Sequence, residues 1–242
     1  MLNPSGFKIS ETLFKSAQTQ VFRAICDNDH QSYILRTCGS SSSLADRSRL
    51  PFIADILSRF KHENIVKVVG FIDHPNQPWL VMEDIQAIDL KVYLGKFEDR
   101  QLPISDFLDL AIQLVDALSV VHHAQIIHKD LHPGNIVVNP ETKQLQIIDF
   151  GLASLLTREQ PVLASPENLE GILAYLSPEQ TGRMNRALDY RTDFYTLGVV
   201  FYELLTGCLP FEADDALGIV YAHMAVKQQP VKDVRQDIAP AL

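Results

Sequence analysis

The sequence predicts an α+β chain, a strand-rich small lobe followed by a helical large lobe, and three observations carry that prediction. Residues 7–38 hold short runs rich in β-branched and aromatic residues, separated by polar turns. Residues 105–123 repeat apolar side chains at the spacing of one helix face. Residues 192–207 are apolar almost all round and close on a glycine, as a buried central helix does. The character changes near residue 84, so the lobes are drawn at 1–83 and 84–242, with a hinge near 83–89.

Taken in order, "FKISETLF", "TQVFRAICDN" and "QSYILRTC" read as the first three strands. "GSSSSLADRSRL" reads as a loop. "PFIADILSRF" reads as a helix with Pro51 near its first turn and Phe52, Ile53, Ile56, Leu57 and Phe60 on one apolar face. Two more strands are expected around "IVKVVGFID" and "PWLVMED". In "SDFLDLAIQLVDALSVVHH", Phe107, Leu110, Ala111, Leu114, Val115 and Leu118 form the apolar stripe and Ser105 is the expected cap. A further helix is expected around "DALGIVYAHMA", and no internal repeat is present.

The chain has 242 residues, 46% of them apolar, enough for one large domain or two lobes sharing a cleft. A net charge of -9 argues against a nucleic-acid surface, which needs clustered Lys and Arg. "MLNPSGFKIS" lacks a basic-then-apolar signal pattern, and no apolar run reaches the ~18 residues of a membrane span. Cys26, Cys38 and Cys208 are odd in number and scattered, which fits reduced structural thiols and a cytoplasmic location.

The chemistry concentrates in "HKDLHPGNIVVN", residues 128–139, and "IIDFG", residues 147–151. An acid, an amide five residues later and a second acid fourteen residues after that suit phosphoryl transfer. That reaction needs one carboxylate to orient the acceptor hydroxyl, and hard oxygen donors to hold Mg²⁺ against the phosphates. Asp130 would be the positioning acid, and Asn135 and Asp149 the metal ligands. His128 reads as a packed core histidine, while His122 and His123 end a helix and complement its dipole. Together with His132 their spacing fits no zinc pattern.

These segments resemble a eukaryotic-type serine/threonine protein kinase domain. "HKDLHPGN" is similar to the family's catalytic loop, and Asp149, Phe150 and Gly151 match its metal-binding motif. Ser177, Pro178 and Glu179 stand where the activation segment ends, and Asp193 stands at the position that holds the catalytic loop. The resemblance covers nearly the whole chain. It implies a bilobal protein-kinase-like fold, a small antiparallel-sheet N-lobe plus a helical C-lobe. It also implies ATP and Mg²⁺, with Val21, Ile34, Arg36, Met82, Glu83, Ile85 and Val137 as nucleotide contacts, and His128 stacked beneath Phe150. "YLSPEQTGRMNRALDYRTDFYTLGVVFYELLTG" more narrowly resembles the kinase-like domain at the N-terminus of large bacterial signalling proteins, followed by ATPase, GAF and histidine kinase modules.

The small lobe departs from the family. Residues 13–24 hold no glycine, where a glycine-rich hairpin normally brings backbone N–H groups to the phosphates. Ser16 and Thr19 could offer hydroxyls instead. Arg36 replaces the strand lysine, and Ile53 replaces its glutamate partner on the following helix, with Asp55 on another side. Lys129 replaces an arginine, and His132 a lysine, which also resembles small-molecule phosphotransferases. The C-lobe reads as truncated, without the later arginine expected to pair with Glu179. That leaves residues 197–205 and 219–224 without cover, and Glu179 either solvated or paired with Arg183, Arg186 or Lys129. The first reading is a protein serine/threonine kinase acting on a protein substrate. The alternatives are a pseudokinase serving signalling domains of a longer chain, and a small-molecule kinase.

Overall fold

In the computed structural model, the described residues are 4–39, 41–74, 77–156, 173–183 and 186–238. They divide into two compact units, residues 1–87 and 88–242.

The first unit is built on five antiparallel strands, β1 (Phe7–Lys15), β2 (Thr19–Cys26), β3 (Ser32–Cys38), β4 (Val68–Ile72) and β5 (Trp79–Glu83), in the order β1-β2-β3-β5-β4. Alternation on the strands separates two faces. Phe22, Ala24, Leu35, Trp79 and Val81 are buried together on one face. Val21, Ile34, Arg36 and Met82 share the other, since Val21 pairs with Arg36 and Ile34 with Met82.

Helix α1 (Leu44–Ser58) begins well before the expected start at Pro51. Ser43 and Asp46 form a capping box, the Ser43 hydroxyl accepting from the Asp46 amide and the Asp46 carboxylate from the Ser43 amide. Its serines disguised this segment as a loop. Pro51 consequently lies inside the helix, where it removes one main-chain donor. Ile53, Ile56 and Leu57 are buried as expected, while Phe52 is exposed.

The β1–β2 turn satisfies its own polar groups. The Ser16 hydroxyl accepts from the amides of Gln18 (3.2 Å) and Thr19 (3.0 Å). Gln18 O in turn accepts from Gly39 N and from the Ser42 hydroxyl, each at 2.8 Å. This approach depends on a bare backbone at Gly39, where a Cβ would lie 2.3 Å from Ala17 O. Ser16 is therefore occupied in closing the turn rather than presented outward.

The second unit contains β6 (Ile88–Asp89), α2 (Leu90–Leu94), α3 (Ile104–His123), β7 (Ile126–Ile127), β8 (Ile136–Val138), β9 (Leu145–Ile147), β10 (Ser154–Leu155), α4 (Arg191–Thr206), α5 (Ala216–Ala225) and α6 (Val231–Val234). Strands β6, β8 and β9 form one antiparallel sheet, and β7 pairs with β10. α3 buries Phe107, Leu110, Ala111, Leu114 and Leu118 as expected, but Val115 is exposed and Ala117 and Val121 complete the stripe. Its N-cap is Pro103 rather than Ser105, whose hydroxyl turns to Asp106 at 3.5 Å.

α4 ends on Gly207 at φ 74°, a left-handed cap whose amide returns to Glu203 O. Leu197, Val199, Val200, Leu204 and Leu205 are buried, contrary to the expectation that residues 197–205 lack cover. The Phe107 ring meets Phe201 edge-on at 5.3 Å, and Arg235 donates to the carbonyls of Leu102 and Leu205. α5 is two-sided: Ile219 and Ala222 are buried, whereas Leu217, Tyr221 and Met224 are exposed.

Candidate active site

The loop at residues 128–135 is held from beneath by Asp193, which is fully buried near the start of α4. Its Oδ2 accepts from His128 N (2.9 Å) and faces His122 Nε2 (2.8 Å), and its Oδ1 accepts from Lys129 N (2.8 Å). Converging two consecutive amides on one carboxylate accompanies a left-handed Lys129, φ 66°. The expectation that Asp193 anchors this loop matches the geometry. His122 does more than complement a helix dipole, because it completes that carboxylate's shell.

His128 is completely buried and stacks edge-on against Phe150 at 4.6 Å, the arrangement the resemblance implied. Its Nε2 meets Ile148 O (3.1 Å), so the proton resides there, leaving Nδ1 to accept from Asp130 N (3.3 Å). Burial pushes its pKa below the ordinary histidine value, against the pull of the Asp193 and Asp149 charges. A neutral ring thus ties the start of the loop to the segment after β9 that carries Asp149.

Asn135 donates both protons of its amide nitrogen to Asp130, one to the carbonyl and one to Oδ2, each at 2.9 Å. Both partners accept only, which fixes the amide's orientation and leaves Asn135 Oδ1 for another partner. Pairing of Ile136 with Ile147, and an Ile148 N to Asn135 O bond of 2.9 Å, bring Asp149 alongside. Asp149 is left-handed (φ 57°), and its Oδ1 accepts from Gly151 N at 2.9 Å.

The donor set fits a magnesium ion: one amide oxygen and one carboxylate, both hard ligands, held by backbone bonds on adjoining elements. The Asn135 amide nitrogen, bonded to Oδ2, orients the Asp130 carboxylate.

His132 Nδ1 accepts from Gly134 N (3.1 Å), and its Nε2 lies 3.9 Å from Asp130 Oδ1. Burial, with lesser help from His128, lowers its pKa to about 4, so it is neutral near pH 7. An imidazole can seat there because position 134 is glycine, whose Cβ would meet the ring at 2.9 Å.

Sequence reasoning missed Gln180. Its amide oxygen accepts from the amide and hydroxyl of buried Ser177, and its nitrogen donates to Lys129 O at 2.8 Å. The Ser-x-x-Gln spacing of a capping box was the available signal. The expected cation beside Glu179 is not its described partner; Glu179 Oε1 accepts from the Thr192 hydroxyl at 2.8 Å. The positive N-terminal end of α4 supplies favourable potential there. Tyr175 donates to Glu203 at 2.6 Å, and burial raises both pKa values.

In the first unit, Val21, Ile34 and Arg36 are half-buried and Met82 is buried. Glu83 is exposed, its amide bonded to Lys67 O at 3.0 Å, and Ile85 is half-buried. Ile53 is 3% exposed within α1. The acids of α1 have partners of their own, Asp46 in the capping box and Asp55 with Arg59. Val137, in the second unit, is half-buried between buried Ile136 and Val138.

The sequence matches the family model described as protein kinase domain over residues 8–239. Over 199 residues it is 34% identical to serine/threonine-protein kinase pkn3 of Myxococcus xanthus, covering 78% of this chain and 35% of that protein. It is 32% identical to serine/threonine-protein kinase PksC of Streptomyces coelicolor, covering 82% and 36%. It is 28% identical to a probable serine/threonine-protein kinase PknB of Lactococcus lactis, covering 77% and 28%. The chain thus spans roughly a third of the length of these relatives.

Proposed function

The chain belongs to the protein kinase domain family, and from that premise we propose that it transfers the γ-phosphoryl group of ATP to a serine or threonine hydroxyl of a protein. The observation that carries this reading is the Asn135–Asp130 clasp beside Asp149. It leaves one hard amide oxygen available to a cation and holds the carboxylate that an acceptor hydroxyl would need.

In the transfer, the acceptor oxygen forms a bond to the γ-phosphorus while the bond to the bridging β–γ oxygen breaks, and ADP leaves. Asp130 orients the acceptor hydroxyl and takes its proton. Asn135 Oδ1 and the Asp149 carboxylate would hold Mg²⁺, which supplies charge neutralisation at the phosphate oxygens. By the resemblance, Val21, Ile34, Arg36, Met82, Val137 and the main chain of Glu83 and Ile85 would be nucleotide contacts. The ordered turn at Ser177–Gln180, tied to Lys129 O, favours a protein acceptor over a small molecule. Among the described residues no helix is long and apolar enough to cross a membrane. The three free cysteines support a cytoplasmic location. The narrower resemblance supports a role ahead of further signalling modules.

A thermal-shift titration with ATP, with and without Mg²⁺, paired with transfer of labelled phosphate to a generic protein, tests this. Wild type should gain stability from Mg²⁺-ATP and yield phosphoserine or phosphothreonine. Asp149→Ala should abolish the Mg²⁺-dependent gain. Asp130→Asn should keep that gain yet lower transfer about 10²–10⁴-fold. Nucleotide binding without any transfer would instead identify a regulatory pseudokinase.

A further inference from the structure

We infer that Arg23 and Asp84 set nucleotide affinity, by fixing the main chain of residues 83–86. The inference rests on the proposed function, because the main chain of Glu83 and Ile85 is where the adenine edge would be read.

The Asp84 side chain is only 2% exposed, yet the residue immediately follows the last strand of its sheet. A buried carboxylate is costly unless several donors converge on it. Here Oδ2 accepts from Arg23 Nε at 2.8 Å, from the Ser32 hydroxyl at 2.6 Å and from Gln86 Nε2 at 2.8 Å. Oδ1 accepts from Gln86 N at 2.8 Å. Arg23 uses its fork on two acids, because a terminal nitrogen also reaches Glu11 at 2.5 Å. The knot therefore draws on β1, β2, β3 and the segment after β5.

Its mechanical effect falls on that segment. Gln86 sits at φ 54°, a left-handed conformation that a side chain of its kind adopts only when the surroundings hold it there. Two of the bonds on Asp84 come from Gln86 itself, its amide and its side chain, so the carboxylate supplies that hold. On the upstream side Glu83 N is bonded to Lys67 O. Residues 83–86 are thus clamped at both ends, and the peptide groups between them point in one set of directions. A base reading those groups meets a surface already ordered, which saves the entropy of ordering it on binding. Asp84 and Arg23 touch no nucleotide in this account. They are positioning residues.

The test is isothermal titration of the chain with ADP, and kinetic titration with ATP, for wild type, Asp84→Ala, Gln86→Pro and Glu11→Ala. Asp84→Ala should raise the ADP dissociation constant and the ATP KM by about tenfold while kcat stays within about twofold. Gln86→Pro removes the amide donor and forbids the left-handed conformation, yet leaves the Arg23–Asp84 pair intact. It should reproduce most of that loss, and it decides the matter if Asp84→Ala does not fold. Glu11→Ala, at the exposed end of the knot, should change affinity little. Variants that melt lower but bind ADP like wild type would overturn the positioning role alone. Failure of wild type itself to bind nucleotide would overturn both this role and the proposed function. Equal losses in KM and kcat across the variants would also reject it, since general loosening rather than positioning would be at work.

Discussion

The loop at 128–135 and the hairpin tip at 16–19 are both short irregular stretches beside residues read as functional, but they are built in opposite ways. The loop is held from outside by a buried carboxylate that takes its backbone amides, and Asn135 spends its amide nitrogen on Asp130, which leaves its oxygen for another partner. The tip uses up its own polar groups: Ser16 takes the amides of Gln18 and Thr19, while Gly39, Ser41 and Ser42 bond the carbonyls of Ala17 and Gln18. Counting where each polar group goes separates a segment prepared for a ligand from one that has spent its donors on itself. The segment proposed for transfer keeps the residue types the resemblance implies, whereas residues 13–24 lack the glycines it implies. The same contrast appears at β3 and α1, where Arg36 and Ile53 replace an ion pair.

Removing the loop's external support should cost the protein most. Asp193→Ala leaves His128 N, Lys129 N and the His122 ring without their acceptor. At ~1–3 kcal/mol for each buried donor left unmade, the loss should be at least about 3 kcal/mol, with transfer abolished. Chemical denaturation measures it; a melt indistinguishable from wild type would show that the loop is held by something else.

A smaller effect should sharpen the other half. Arg36→Lys and Ile53→Glu, each alone, should fail to raise transfer, because a lysine without its acid is unanchored and the arginine fork is no substitute for the compact ammonium the acid would hold. Together they should couple by about 0.5–3 kcal/mol in a double-mutant cycle on kcat/KM. Strict additivity would remove the missing ion pair as the reason for the departure.

The smallest effect is a pH dependence of the loop. His132 has a folded pKa near 4 against 6.5 when free, so the unfolded chain binds a proton that the folded one refuses. Stability from this group is full above pH 6.5 and declines as pH falls toward 4. His128 and His223, also lowered by burial, act in the same direction. His132→Gln should flatten the fall in melting temperature between pH 7 and pH 5 without removing it. Parallel curves for the two proteins would rule out His132 as a contributor.

Local patterns read well from the sequence. The stripe of α3, the Gly207 stop, the HKDLHPGN and DFG segments and the strand alternation all follow from spacing within a few residues. Features depending on a distant partner did not. α1 starts at a serine that looks like loop until Asp46 closes the box, and Ser105 loses its cap to the backbone set by Pro103. His122 is explained only once α4 brings Asp193 to it, and Asp84 only once β2 and β3 deliver Arg23 and Ser32. A buried polar residue has no sequence signature, because its identity records partners that lie 52 to 71 positions away.

Gly39 has a bearing on the order in which the first unit assembles. A two-strand hairpin is ordinarily a local event, completed from its own residues on the microsecond scale. This one is finished only when the end of β3 arrives, because the carbonyls of Ala17 and Gln18 are bonded by Ser41 and Gly39. The tip should therefore be among the late parts of the sheet to gain protection during refolding, behind the β2–β3 pairing on which it waits. A side chain at position 39 would delay that last step without touching either strand of the hairpin.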